Sequence, residues 1–200
     1  MKIREVPQVF IIESLRFNDE EKGFFEGRIL SDILRLNGKK SKYYYIRTRA
    51  ELEKVVDIFR KTTYRYLHIS CHGNRGAMFT TLDEIPFSEL GSILNSCLRD
   101  RRLFFSACEL VNKKLAREIL PKSGAFSIIG PSSSVRFSDA AILWASFYHL
   151  MFKSNEQAMK RKDLLRNLKK LTRLFGVTLN YYSKSRSDQR GYKITKVGGK

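Results

Sequence analysis

Residues 64–73 read YRYLHISCHG and residues 102–108 read RLFFSAC. Both are short apolar runs rich in aromatic and β-branched side chains, the composition of β-strands. Their apolar character is nearly continuous instead of alternating, and that is what a strand covered on both faces requires. Comparable runs occur at 9–15 (VFIIESL), 42–47 (KYYYIR), 125–130 (AFSIIG) and 177–182 (VTLNYY). Six strands are therefore expected, paired mostly in parallel.

Helical periods fill the intervals. Phe25, Ile29, Ile33 and Leu36 form one apolar stripe, Leu52, Val55, Val56 and Phe59 a second, and Phe87, Leu90, Ile93, Leu94 and Leu98 a third. Thr48 and Glu51 make a capping box for the second helix, and Pro86 suits the first turn of the third. Val111, Leu115, Ile119 and Leu120 suggest a short helix ended by Pro121 and Gly124, and Ser138 to Phe152 a longer one. The alternation predicts a doubly wound, mostly parallel six-stranded α/β sheet with helices on both faces and right-handed crossovers. Residues 155–174 read as a further helix, with leucines on one side and lysines and arginines on the other. VTLNYYSK and GYKITKVG then suit a hairpin around SRSDQRG. Residues 1–152 would form the core, and 153–200 a basic helix with a terminal strand or hairpin packed on the same domain.

With 42% apolar residues in a chain of 200, one buried core is expected. No apolar run approaches the ~20 residues that cross a bilayer, and Glu13 interrupts the short apolar stretch near the N-terminus, so neither export nor a membrane span is expected. The three cysteines, Cys71, Cys97 and Cys108, are odd in number and lie in or beside apolar segments, which fits a reducing cytoplasm. The formal net charge is +18, and residues 153–200 carry +11 of it. Such an excess attracts nucleic acid or an acidic protein, or serves only as a solvated face.

In a parallel sheet the ligand crevice opens at the carboxyl ends of the strands. The third expected strand ends in His72 and Gly73, and the fourth in Cys108. If these strands are neighbours, an imidazole and a thiol face one crevice, the pairing that a cysteine nucleophile needs. The plainer alternative is that Cys108 is a small core hydrophobe. A zinc site of His68, Cys71, His72 and Cys108 is disfavoured, because residues 68 and 71 point to opposite faces of a strand and the chain has no C-x-x-C pair. NRGAM (74–78) lacks a phosphate-binding glycine pattern and reads as a mobile loop bordering the crevice.

The His-Gly and Ser106-Ala107-Cys108 exits resemble those of the caspase-like (clan CD) cysteine peptidases, and are most similar to the bacterial CHAT branch, related to separase. Ile129-Gly130, Asp139-Ala140-Ala141 and Phe147-Tyr148-His149-Leu150 follow in the order typical of that branch. Two features depart from the pattern: Leu110 stands where members commonly have threonine, and PSSSVRF (131–137) replaces a tryptophan-containing loop. The resemblance implies that Cys108 attacks the scissile carbonyl, that His72 polarises the thiol and protonates the leaving amine, and that the backbone N–H groups of Gly73 and Cys108 hold the oxyanion. It implies a protein substrate, no metal or organic cofactor, and activation by a protein partner or by processing. Asp139, Asp83, Glu84 and Glu109, carboxylates near these exits, are candidates to face a basic substrate residue, with Asp139 equally suited to a helix N-terminus. The competing reading is a catalytically inactive caspase-like module whose basic region at 153–200 binds nucleic acid or an acidic protein. A flavodoxin-like binder of small ligands ranks below both for want of a phosphate motif.

Overall fold

Strands apolar on both faces form the middle of the molecule, and helices with a single apolar stripe cover them. The computed structural model describes residues 6–95 and 97–198. The chain runs β1 (Val6–Glu13), α1 (Phe17–Glu21), α2 (Glu26–Leu36), β2 (Lys42–Tyr45), α3 (Arg49–Arg60) and β3 (Tyr64–Ser70). Next come β4 (His72–Gly73), β5 (Ala77–Phe79), β6 (Glu84–Pro86), α4 (Phe87–Asn95), β7 (Arg102–Ser106), α5 (Lys113–Ser123) and β8 (Ser127–Pro131). It ends with α6 (Phe137–Ser154), α7 (Arg161–Phe175), β9 (Leu179–Lys184) and β10 (Tyr192–Val197).

The main sheet has the order β10-β9-β8-β7-β3-β1-β2. Strands from β8 to β2 are parallel, and β9 and β10 add to the β8 edge in antiparallel fashion. The chain steps from β1 outward to β2, then back across β1 to β3, β7 and β8. Right-handed crossovers put helices made before and after such a reversal on opposite faces. Accordingly α2 packs on one face, where it is joined by α6 and α7, which lead into an antiparallel strand and lie outside that rule, against Val9, Ile11, Tyr66, Phe104 and Ile129. The opposite face carries α3, α4 and α5, packed on Phe10, Ile12, Leu67, Ile69, Leu103 and Phe105. Consecutive residues of one strand thus enter different cores, which explains why the strand sequences are apolar at every position.

The doubly wound, mostly parallel α/β fold expected from the sequence is present, with local differences. The main sheet has seven strands, because Tyr192–Val197 pairs fully with β9. In the stretch 74–78, expected as a loop, residues 74–76 form a turn and Ala77 and Met78 belong to β5 of a second sheet, of the order β4-β5-β6, in which His72 pairs with Phe79 and Gly73 with Met78. The Asn74 side chain closes the turn between β4 and β5 by accepting from the N–H groups of Gly76 (2.7 Å) and Ala77 (2.9 Å). The helix expected from residue 155 begins at Arg161 instead, since Asn155 turns the chain by accepting from Gln157 and Ala158, and the Met159 N–H donates to the Tyr66 hydroxyl. Pro121 lies within α5, which continues to a left-handed C-cap at Gly124. In the last turn of a helix a proline costs little if its neighbours carry the closing bonds.

Glu13, the last residue of β1, is fully buried and accepts from the N–H groups of Gly27 (2.6 Å) and Arg28 (3.3 Å) in the first turn of α2, and from the Tyr43 hydroxyl (2.8 Å). Burial pushes its carboxyl up from 4.5 to about 7, outweighing the Gly27 and Tyr43 hydrogen bonds that pull it down. Because the folded protein holds this proton more tightly than the unfolded chain, the contribution is complete below 4.5 and is lost as pH rises toward 7. We expect the stability of the wild type relative to Glu13→Gln to fall across that window by up to ~3 kcal/mol in denaturant titrations. A pH-independent difference between the two proteins would contradict this account.

Candidate active site

β3 and β7 are adjacent and parallel, with Ser70 opposite Ser106 as the last register pair. The Cys71 N–H donates to the Ser106 carbonyl at 3.0 Å, so the two chains leave the sheet side by side. His72 and Cys108 each stand two residues beyond that pair, at strand ends about 5 Å apart. Both line one small cleft of about 30 Å³, together with Glu26, Cys71, Ser106, Ala107, Val135, Phe137 and Ala140. His72 and Cys108 are partly exposed there, whereas Cys71 and Cys97 are buried. Burial pushes both of the latter thiols up, that of Cys97 to about 12, so neither is a nucleophile at neutral pH.

The corner after β7 turns sharply. Glu109 adopts the left-handed conformation with φ 55°, a strain of roughly 1–3 kcal/mol for a residue with a side chain. Asn112 then caps α5 by accepting from Lys114 and Leu115. Cys108 Sγ lies against the backbone of Val135, accepting from its N–H at 3.4 Å and donating to its carbonyl at 3.6 Å. Gly73 is required by contact: a Cβ at this position would lie 2.6 Å from Leu110 Cδ1. Leu110, the residue that departs from the resembled family, therefore fills the space that the glycine leaves and joins the two corners.

Reading the sequence did not single out Asp19, whose Oδ2 lies 2.7 Å from His72 Nε2. Asp19 sits in α1, a five-residue helix with no apolar period to reveal it. The helix is tied down by its neighbour Glu20, which accepts from the Tyr45 hydroxyl and from two guanidinium nitrogens of Arg47 (3.2 and 2.6 Å). Arg47 holds the Glu20 carboxyl below the usual range. Since Asp19 occupies Nε2, the nitrogen of His72 left for chemistry is Nδ1. Phe137, at the start of α6, packs its ring edge-on to the His72 imidazole with centroids 5.5 Å apart.

Glu26 is a second residue that the sequence did not reveal. Only 3% exposed, it leads α2 into the floor of the cleft, where its Oε2 accepts from Ser70 Oγ (3.1 Å) and Ser106 Oγ (2.8 Å), the last register pair itself. Its Oε1 has no hydrogen-bond partner and lies 3.9 Å from Nε2 of the fully buried His68, whose Nδ1 meets the Tyr148 hydroxyl at 3.2 Å. His68 therefore belongs to the core.

The carboxylates expected near the crevice have these settings. Asp83 accepts from the Arg49 N–H at the start of α3 (2.7 Å), and Glu109 pairs with Arg75 at 3.0 Å. Glu84 is exposed in β6. Asp139 lies in the first turn of α6, in the helix-terminal setting that its sequence context allowed. Among the described residues lining the cleft the acid is Glu26.

No protein-family model and no curated protein matches this sequence. Solved structures do match its fold. A secreted C11 cysteine protease from Bacteroides thetaiotaomicron, iotapain, aligns with a TM-score of 0.57 and 10% identity over 90% of this chain. The chain spans 66% of that protease, slightly under two thirds of its length. Caspase-1 from Spodoptera frugiperda aligns with a TM-score of 0.55 and 13% identity, covering 98% of this chain and 86% of its own. The chain thus shares the α/β fold of caspase-like cysteine proteases.

Glu26→Ala would leave two buried hydroxyls without their acceptor, at a cost of about 2–3 kcal/mol. Thermal unfolding should shift down by roughly 2–4 °C per kcal/mol. Ser106→Ala should cost less in the Glu26→Ala background than in the wild type. Additive losses would show that the carboxylate and hydroxyl do not interact.

Proposed function

We propose that this chain is a cysteine endopeptidase in which Cys108 is the nucleophile and His72 the general base and acid. The observation that carries the reading is the common cleft: two reactive groups, 36 residues apart in sequence, leave adjacent parallel strands at the same level and line one opening. His72 Nδ1 accepts the Cys108 proton, and the thiolate adds to the scissile carbonyl. The tetrahedral oxyanion is held by the N–H groups of Gly73 and Cys108, and its collapse expels the amine, which takes the proton back from His72. Water, deprotonated by the same imidazole, then hydrolyses the acyl-enzyme. Asp19 positions the ring: by accepting from Nε2–H it selects the tautomer with Nδ1 as base and stabilises the imidazolium that forms. This chemistry draws on no metal or organic cofactor.

Regulation by a protein partner or by processing is part of the proposal. The cleft of about 30 Å³ is near the share of liquid volume taken by one water, and a movement of Val135 or Phe137, which line it, would widen it for a substrate. A reducing, cytoplasmic setting accords with three free thiols, and no described helix is long and apolar enough to cross a membrane.

A second activity is favoured by the surface of α7. Arg161, Lys162, Arg166, Lys169, Lys170 and Arg173 are all exposed, with Asp163 engaged by Arg166. We propose that this face attracts nucleic acid, whether or not the thiol is active. Binding of a labelled RNA or DNA duplex should weaken steeply between 50 and 200 mM salt, as roughly 10³-fold for six phosphate contacts, and should be lost on replacing Lys169, Lys170 and Arg173 with glutamate.

Cleavage of a protein substrate should be abolished by Cys108→Ala with the thermal midpoint retained. Asp19→Asn should lower kcat by about tenfold or more and alter the pH profile of kcat/KM, a change that a purely structural residue would not cause. Cleavage that persists in Cys108→Ala would remove the peptidase assignment, and an unaltered profile in Asp19→Asn would remove Asp19 from it.

A further inference from the structure

Beside the catalytic cleft lies a second, larger cavity of about 470 Å³, lined by Gly23, Phe24, Glu26, Ile29, Phe137 and Ala141, with Arg136 and Ser138 also on its border. Phe137 and Glu26 line both cavities, so the two are neighbours divided by the Phe137 ring. That ring touches His72 on one side (5.5 Å) and Phe24 on the other (5.3 Å). Phe24 and Ile29 are 40% and 48% exposed, a marked exposure for large apolar side chains gathered in one place.

Charge decides what the cavity accepts. Its carboxyl group, Glu26, is 3% exposed and turned to the interior: Oε2 takes two serine hydroxyls, and Oε1, without a hydrogen-bond partner, lies 3.9 Å from Nε2 of the buried His68. The exposed guanidinium of Arg136 at the border disfavours a cationic guest. What remains is a concave surface of two aromatic rings, an isoleucine and an alanine.

We propose that this cavity seats a bulky apolar side chain of the polypeptide substrate, at a fixed position flanking the bond cut by Cys108. The inference rests on the peptidase reading and adds the class of side chain recognised. Phe24, Ile29 and Ala141 then determine specificity without touching the reacting atoms, and Phe137 separates the recognised side chain from the imidazole.

The test is a digest of a random-sequence peptide library by the full chain, with the cut sites read by mass spectrometry and Cys108→Ala as the blank. The expected profile shows Leu, Met, Phe or Tyr enriched about tenfold at one position relative to the cut. Ala141→Trp, which fills the cavity, should erase the enrichment. Ile29→Glu, a half-exposed position whose change spares the core, should do the same. Enrichment of basic or acidic residues alone, or apolar enrichment that survives both variants, would overturn the inference and leave the peptidase reading standing. A wild-type digest no different from the blank would overturn both.

Discussion

A buried carboxylate joins the ends of the two strands that carry the reactive groups. Burying a carboxyl group is costly unless hydrogen bonds replace the lost solvation, and at Glu26 two serine hydroxyls do so for Oε2, while Oε1 is left without a partner among the described residues. Those serines are the terminal register pair of β3 and β7, so Oε2 keeps both donors only when the strands end level. A slip of one residue in either strand would turn its serine to the opposite face and remove that donor. The requirement reaches further through α2, because Glu13 at the end of β1 binds the first turn of the same helix. Three strand ends and one helix start are thereby held in a single arrangement, with His72 and Cys108 just above it.

The winding of the chain supplies the rest. The path reverses between β1 and β3, and residues leaving those strands converge on one rim, as ligand-binding groups do in doubly wound sheets. Asp19 comes from the exit of β1, His72 from β3, Cys108 from β7, and Val135 with Phe137 from β8. Four separate loops thus meet around one imidazole and one sulfur. The same fold in iotapain and caspase-1, at identities of 10% and 13%, shows how little of the topology depends on particular side chains.

The central strands and covering helices were readable because their patterns are long and physically forced: VFIIESL and YLHIS bury residues in two cores, and the stripe of Leu52, Val55, Val56 and Phe59 buries one face. The placement of His72 and Cys108 side by side was readable for the same reason, each standing two residues past the end of such a run. Shorter features were not. β4, β5 and β6 span two or three residues each, too few to show a period, and they pair across turns that Asn74 closes on one side and Thr80 with Asp83 on the other. Asp19 and Glu26 reach their partners across 44 to 80 residues, so no local spacing marks them. Of the acids that local spacing did mark, Asp83 accepts from the first N–H of α3, and Asp139 lies in the first turn of α6, where a negative charge complements the helix dipole.

The contact of Gly73 with Leu110 has an evolutionary corollary. A missing methyl at one corner is the seat of a leucine methyl at the other, so the two loops interlock like a tenon in a mortise. The constraint runs one way: a larger residue at 73 demands that Leu110 shift or shrink, whereas a smaller residue at 110 leaves the glycine in place with open room beside it. Tolerance to change at 73 should therefore depend on what stands at 110 in any close kin of this chain.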